Sequence, residues 1–281
     1  MKKILSIQSH VACGYVGNKV ASFVIQRFGH EVVQINSLQF SNHTGYKNGF
    51  EGDAFSKEHL LSIFSGLNKN NLLNDVNHGI TGYIGSKDSA EAIYETILSL
   101  KKQNKNFIYF CDPVMGDNFT HCFVKPEVKD FLCQKLITLA NVIKANHTEA
   151  QFLFNRDINS ENDARDFYDF LVEKTENQNL ILIITSFMRG KDIDNEKIKT
   201  LMVTRGQNFI VENHLLNLHP LTCGTGDLVT ALFASCIANN IEEKKALNHT
   251  IKAIYNILEY GVKNHTIEMQ LIAMQNEIEY K

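Results

Sequence analysis

Gly224-Thr225-Gly226-Asp227, followed by the apolar run Leu228-Val229-Thr230-Ala231-Leu232-Phe233-Ala234, is the segment of this chain best suited to chemistry. Two glycines let the backbone turn tightly and present N–H groups with no Cβ in the way. The helix expected to begin there directs its positive end at the same spot. Asp227 stands where the loop becomes the helix. N–H donors beside a carboxylate suit phosphoryl transfer to a hydroxyl: the donors hold phosphoryl oxygens and the carboxylate takes the proton. A loop that merely caps a helix has the same appearance. The remaining strand ends must separate the two.

Strand-like and helix-like patterns alternate through the chain and would position this loop. Residues 3–8, 31–35, 79–83, 107–111, 142–145 and 180–184 read as strands. Residues 18–28, 59–67, 86–103, 127–139, 148–155 and 160–174 read as helices, the first stopped by Gly29. Residues 199–204 and 209–211 flank Arg205-Gly206-Gln207 as a hairpin near a sheet edge. Residues 227–239, 242–260 and 265–279 read as three closing helices. The expected fold class is α/β: a doubly wound, mainly parallel sheet with helices on both faces, in a single domain over 1–281.

The bulk numbers exclude several classes. A chain of 281 residues with 44% apolar and 21% charged residues can bury a sizeable core without staples. Its net charge of −3 supplies no basic field for nucleic acid or an anionic membrane. The N-terminal apolar stretch is broken by Ser6, Gln8, Ser9 and His10, which favours a first strand over a signal peptide. No run reaches the ~18–20 apolar residues needed to span a bilayer. Six cysteines without a Cys-x-x-Cys pair fit reduced cytoplasmic thiols better than zinc or disulfides.

Ligands of doubly wound sheets bind outside the carboxyl ends of the strands. The first strand runs into Val11-Ala12-Cys13-Gly14-Tyr15-Val16-Gly17-Asn18, a flexible loop whose Asn18 is a candidate N-cap. The second is followed by Gln39-Phe40-Ser41-Asn42-His43-Thr44-Gly45-Tyr46, able to hydrogen-bond and stack on a small heteroaromatic ligand or to form a surface turn. The third gives Thr81-Gly82-Tyr83, and Tyr83 offers a flat face with a hydroxyl. The fourth gives Cys111-Asp112-Pro113-Val114-Met115-Gly116-Asp117. Asp112 at the end of a buried strand requires a cation, and Mg²⁺ carried by a nucleotide is the natural partner. Residues 116–125 carry no helix or strand pattern and read as a lid. The fifth gives Asn146-His147-Thr148-Glu149: either a capping box or an amide and a carboxylate aimed at water-bound Mg²⁺. The sixth gives Thr185-Ser186, hydroxyls for phosphates or a plain strand end. A P-loop, the protein-kinase signatures, a third Rossmann glycine and Gly-x-Ser-x-Gly are all absent from the sequence.

Together these segments resemble the pyridoxal kinases of the ribokinase-like superfamily over nearly the whole chain. The tetrad marks the wider superfamily. Gln8-Ser9-His10-Val11 with Gly14-x-x-Gly17-Asn18, and Gln39-Phe40-Ser41-Asn42-His43-Thr44, narrow it to the vitamin B6 kinases. The resemblance implies ATP-dependent phosphorylation of the 5′-hydroxyl of pyridoxal, with pyridoxine and pyridoxamine as further candidates, in vitamin B6 salvage. It implies Asp227 as general base, with Gly224, Thr225 and Gly226 as the anion hole. It implies Ser9, Thr44 and Tyr83 around the pyridine ring. Asp112, Asn146 and Glu149 would serve Mg-ATP, Asp112 and Glu149 as metal ligands through water. Thr185 and Ser186 would lie near the phosphates, and residues 201–204, ending in Thr204, would border the adenine. ATP, Mg²⁺ and a monovalent cation such as K⁺ are the expected cofactors, and a cytoplasmic homodimer the expected assembly. An ordinary carboxyl value of about 4 would keep Asp227 ionised.

Lys144-Ala145 departs from the Thr-Pro or Ala-Pro usual before Asn146 in the family. Cys122 lies in the lid, where a thiolate could meet a bound aldehyde as in some dual-function relatives. The alternatives are a hydroxymethylpyrimidine kinase of thiamine synthesis, a non-catalytic pyridoxal-phosphate carrier and a sugar kinase.

Overall fold

The computed structural model describes residues 1–118, 121–187, 196–219 and 222–280. The chain runs β1 (Lys3–Val11), α1 (Asn18–Arg27), β2 (Glu31–Phe40), β3 (Gly52–Ala54), α2 (Lys57–Lys69), β4 (Val76–Thr81), α3 (Lys87–Gln103), β5 (Ile108–Cys111), β6 (Gly116–Asp117), β7 (His121–Cys122), α4 (Pro126–Gln134) and a 3₁₀ turn (Leu136–Leu139). It continues with β8 (Val142–Asn146), α5 (His147–Phe154), α6 (Glu161–Thr175), β9 (Ile181–Phe187), β10 (Lys197–Thr204), β11 (Gln207–His214), α7 (Thr225–Ala238), α8 (Glu243–Lys263) and a last 3₁₀ turn (Gln275–Glu277).

Nine strands form one sheet in the order β11-β10-β9-β8-β5-β4-β1-β2-β3. The six central strands from β9 to β2 pair in parallel; β3 and β10 run antiparallel to their inner neighbours. The order reverses at β1, flanked by β2 on one side and β4 on the other, which opens a crevice at the carboxyl ends there. The strand period of two sends alternate residues to two cores. Leu5 and Ile7 join the core under α2, α3, α4 and α6; Ile4 joins the core under α1, α7 and α8. Helix α7 packs on α1, α8 and β4 and is buried almost all round, so its run is apolar without a polar face.

Three expectations change. Residues 265–279 are turns, not a helix: α8 ends at Lys263 and His265 takes φ 52, which redirects the chain. Met269, Leu271 and Ile278 are still buried, so an apolar pattern with helical spacing was filled by irregular backbone. The lid region contains a ribbon, Gly116–Asp117 against His121–Cys122, and its Phe119 and Thr120 lie outside the described residues. Asn18 does not cap α1. Gly17 is the N-cap, and Asn18 turns inward.

That inward turn explains how β1 and β2 stay joined at the switch point. Asn18 Oδ1 accepts from Ser6 Oγ (2.6 Å), and its Nδ2 donates to Ile35 O (2.8 Å) and Asn36 Oδ1 (2.9 Å). Removing the amide leaves buried polar atoms unpaired, at about 1–3 kcal/mol each. Asn18→Ala is therefore expected to lower the urea midpoint with an unchanged m-value; an unshifted midpoint would contradict this role.

Candidate active site

The crevice is built by loops at the carboxyl ends of β1, β2, β4, β5, β8 and β9 and by the start of α7. Gly224 caps α7 with φ 83, a left-handed conformation that side chains resist. A Cβ there would overlap the Tyr15 carbonyl oxygen. No side chain caps α7, so the N–H groups of its first turn stay available to an anion. Gly17, at φ 54, lies so close to Ser9 that a Cβ would overlap both its carbonyl oxygen and its hydroxyl. The Gly17 N–H donates to Asp227 Oδ2 at 2.7 Å. Gly82 closes the other side, where a Cβ would stand 3.1 Å from Asp227 Oδ1. Asp227 is thus held between the ends of β1 and β4. Burial, with the negative charge of Asp112, pushes its carboxyl up to about 6, against the ordinary value expected from sequence. It remains mostly ionised at neutral pH.

Asp112 is almost wholly buried, and its cation is Lys144. The ammonium donates to Oδ2 at 2.8 Å and Oδ1 at 3.0 Å. Thr230 Oγ, on α7, also donates to Oδ2 at 3.0 Å. Burial alone would lower the lysine's proton affinity; the carboxylates of Asp112, Glu149 and Asp227 outweigh it and raise it. Glu149 forms the capping box. Its Oε2 accepts from the Asn146 N–H (2.8 Å), and Asn146 Oδ1 accepts from the Glu149 N–H (2.9 Å). Glu149 Oε1 accepts from the Met115 N–H (2.9 Å), and Asn146 Nδ2 donates to Gly116 O (2.7 Å). Burial raises the Glu149 carboxyl above its ordinary range.

Direct ligation of a metal by Asp112 or Glu149 would compete with partners already in place. Both oxygens of Asp112 hold the ammonium, and both oxygens of Glu149 hold backbone N–H groups. Among the described residues no cluster of three or more His, Cys, Asp or Glu side chains could hold a metal ion.

The other expected residues divide. Tyr83 is half-buried beside Gly82, its ring 6.2 Å from that of Phe123 beyond the ribbon. Thr44 is exposed and follows the buried His43. Thr185 pairs with Asn146 across β8 and β9, and Ser186 follows at φ 52, so both sit at the same edge. Cys122 is exposed on the ribbon, its thiol directed to Val124 O at 3.6 Å. Thr204 lies elsewhere. Strand β10 runs antiparallel to β9, with Lys199 opposite Phe187 and Val203 opposite Leu182. Its last residue is therefore at the far edge of the sheet, where Arg165 donates to the Thr204 carbonyl (2.5 Å). Leu201, Met202 and Val203 are buried in the cores rather than open to a ligand.

Several participants escaped the sequence reading. Lys144 stood out only as a departure from the residues usual before Asn146. Glu268 fell within the expected last helix, yet it ties three segments: it accepts from the Tyr15 N–H (3.2 Å) and the Tyr46 hydroxyl (2.8 Å), and lies 3.3 Å from His43 Nε2. The Cys223 thiol and the Glu268 carboxylate raise the imidazole to about 9, keeping it charged at neutral pH. Beside this group, a cavity of about 440 Å³ opens between residues 217–219 with Thr222 and the end of α8, lined by Leu218, Thr222, Leu258, Val262, Thr266 and Met269.

The phosphomethylpyrimidine kinase family model matches residues 69–271. A pyridoxal kinase of Photobacterium profundum is 34% identical over 278 residues, covering 99% of this chain and 94% of the relative. The chain belongs to the pyridoxal kinase family. The crystal structure of pyridoxal kinase from Entamoeba histolytica matches with a TM-score of 0.88 at 27% identity, covering 99% of this chain and 95% of that one. Pyridoxal kinase from Leishmania donovani, in complex with ADP and pyridoxamine, matches with a TM-score of 0.86 at 25% identity, covering 99% and 96%. This kinase family has the mainly parallel sheet and the helices on both faces found here.

Because Gly224 has no room for a side chain, Gly224→Ala must displace either the Tyr15 carbonyl or the first turn of α7. Loss of a preorganised anion donor lowers the rate roughly 10²–10³-fold. That fall in kcat/KM, with the folded state retained by circular dichroism, is the expected outcome for Gly224→Ala; wild-type kinetics would remove the tetrad from the site.

Proposed function

We propose that Asp227 accepts the proton of the 5′-hydroxyl of pyridoxal while the backbone of Gly224, Thr225 and Gly226 holds the phosphoryl group arriving from ATP. The observation that carries this reading is the Gly17–Asp227 hydrogen bond at the mouth of the N-terminus of α7. One carboxylate oxygen is fixed by an N–H, which leaves the other to face a hydroxyl. Phosphoryl transfer asks mainly for such positioning and for charge neutralisation. The ring of the substrate would lie among Ser9, Thr44 and Tyr83, with His43 near its polar edge. Thr185 and Ser186 flank the phosphate path. The cavity beside Leu218 and Met269 suits the adenine, because Met269 in its wall lies against Gly224 at the start of α7. Mg²⁺ would arrive with ATP as part of the substrate.

The family likeness supports this substrate class over the hydroxymethylpyrimidine, sugar and carrier readings. It also underlies the reading of one catalytic domain over 1–281 acting in the cytoplasm as a homodimer, which light scattering on the purified protein tests. No helix among the described residues is long and apolar enough to cross a membrane.

A coupled ADP-release assay across pyridoxal, pyridoxine, pyridoxamine and hydroxymethylpyrimidine is expected to give pyridoxal the largest kcat/KM; a preference for the pyrimidine would overturn the assignment. Asp227→Asn is expected to reduce kcat roughly 10²–10⁴-fold with an unchanged Kd for ATP. The base works only when deprotonated, so kcat/KM for pyridoxal should fall as pH drops through about 6, the value to which Asp227 is raised. A flat profile through that range would assign the base elsewhere.

A further inference from the structure

Asp112 ends a buried strand and needs a cation, and the cation it holds is part of the chain. The Lys144 ammonium spends two hydrogen bonds on Asp112, at 2.8 and 3.0 Å. Among the described residues its third N–H has no partner. The ammonium also stands against the anion hole: a Cβ on Gly226 would come within 2.7 Å of Nζ and 3.6 Å of Asp112 Oδ2. The missing side chain of Gly226 lets the ammonium lie beside the first turn of α7.

Stability alone does not explain this lysine. A buried ion pair is often no more stabilising than apolar residues of the same shape. Its neighbours in β8, Val142, Ile143 and Ala145, are buried and apolar. Charge balance does explain it. Asp112, Glu149 and Asp227 are all buried around this point, which must receive a polyanion. Three carboxylates without a cation would repel it.

We propose that Lys144 is the resident cation of the phosphoryl site: held by Asp112 beside Gly226, its ammonium contacts the transferring phosphoryl oxygens and takes the place of a diffusible monovalent cation such as K⁺. The proposal rests on the kinase reading above. Lys144 replaces the Thr-Pro or Ala-Pro pattern noted at this position with a permanent charge on a tether. Beside the Asp112 carboxylate, the side chain supplies the positive charge that an ion would bring. Asp112 then acts as a positioning residue, aiming the ammonium rather than ligating a metal.

The test compares wild type, Lys144→Thr and Lys144→Arg in potassium chloride and in tetramethylammonium chloride at matched ionic strength. Two quantities are read, kcat with pyridoxal and the Kd for ATP by calorimetry. Wild type is expected to give the same kcat and Kd in both salts. Lys144→Thr, which leaves room for an ion, is expected to lose roughly 10²–10³-fold in kcat in tetramethylammonium, the usual loss for one preorganised charge contact. Potassium should restore much of that loss and tighten ATP binding. Lys144→Arg should stay indifferent to potassium. Melting curves establish that each variant is folded, and Lys144→Ser serves if threonine is not tolerated. Stimulation of wild type by potassium overturns the proposal whatever the variants do. So does a folded Lys144→Thr that keeps its rate in tetramethylammonium, or one that loses it without responding to potassium. Absence of any turnover by wild type on pyridoxal would instead defeat the kinase reading.

Discussion

The buried pair of Asp112 and Lys144 is the interaction on which the rest of the site depends. Asp112 follows β5 and Lys144 lies within β8, the strand paired with it. Thr230 brings α7 to the same carboxylate. Breaking such a pair by removing one partner typically costs about 3–5 kcal/mol, because the other charge is left stranded. Two strands and one helix are therefore fixed in register at one point. Asp227 lies one turn before Thr230, so its aim follows from where Asp112 holds the helix. The same carboxylate also helps to raise the proton affinity of Asp227. Geometry and electrostatics at Asp227 share one source.

Among the described residues, four of the eight helices are capped by their own side chains, and α4 and α8, like α1 and α7, are not. Helices α2, α3 and α6 start at Ser56, Ser86 and Ser160, whose hydroxyls each accept an N–H three residues on. Helix α5 starts with the full capping box. These ends are satisfied internally. Helices α1 and α7 start at Gly17 and Gly224, and neither has a side-chain cap. An uncapped helix start is a liability unless something else takes its N–H groups. Asp227 takes the Gly17 N–H, and the start of α7 is left without a side-chain partner.

Most of the scaffold was legible in the sequence because it follows simple periods. Buried runs such as 180–184 mark parallel strands, and Ser or Asn before an amphipathic run marks a helix start. The site was legible where glycine and acid cluster at strand ends. The failures are equally physical. Nothing in residues 199–204 reveals the direction of β10, so Thr204 was assigned to the wrong edge. Asn146 and Glu149 can cap a helix or face a ligand, and only the observed N–H donors decide. Residues 265–279 have apolar spacing that a helix or a folded turn satisfies equally. Glu268 could not be found at all from local pattern, since its partners are far away in sequence. The ordinary carboxyl value expected of Asp227 overlooked its burial, which sequence does not display.

The crevice joins the two ends of the chain. The Tyr15 N–H meets a carboxylate 253 residues later, and the Gly17 N–H meets one 210 residues later. During synthesis at about 5–20 residues per second, the first loop waits on the order of 10–50 seconds for Glu268 to be made. The strands and helices in between can pair as they emerge, but the crevice at the start of α7 cannot close before the final helices are present. A nascent chain is thus a folded scaffold without a working site, and the binding of nucleotide belongs to the finished protein alone.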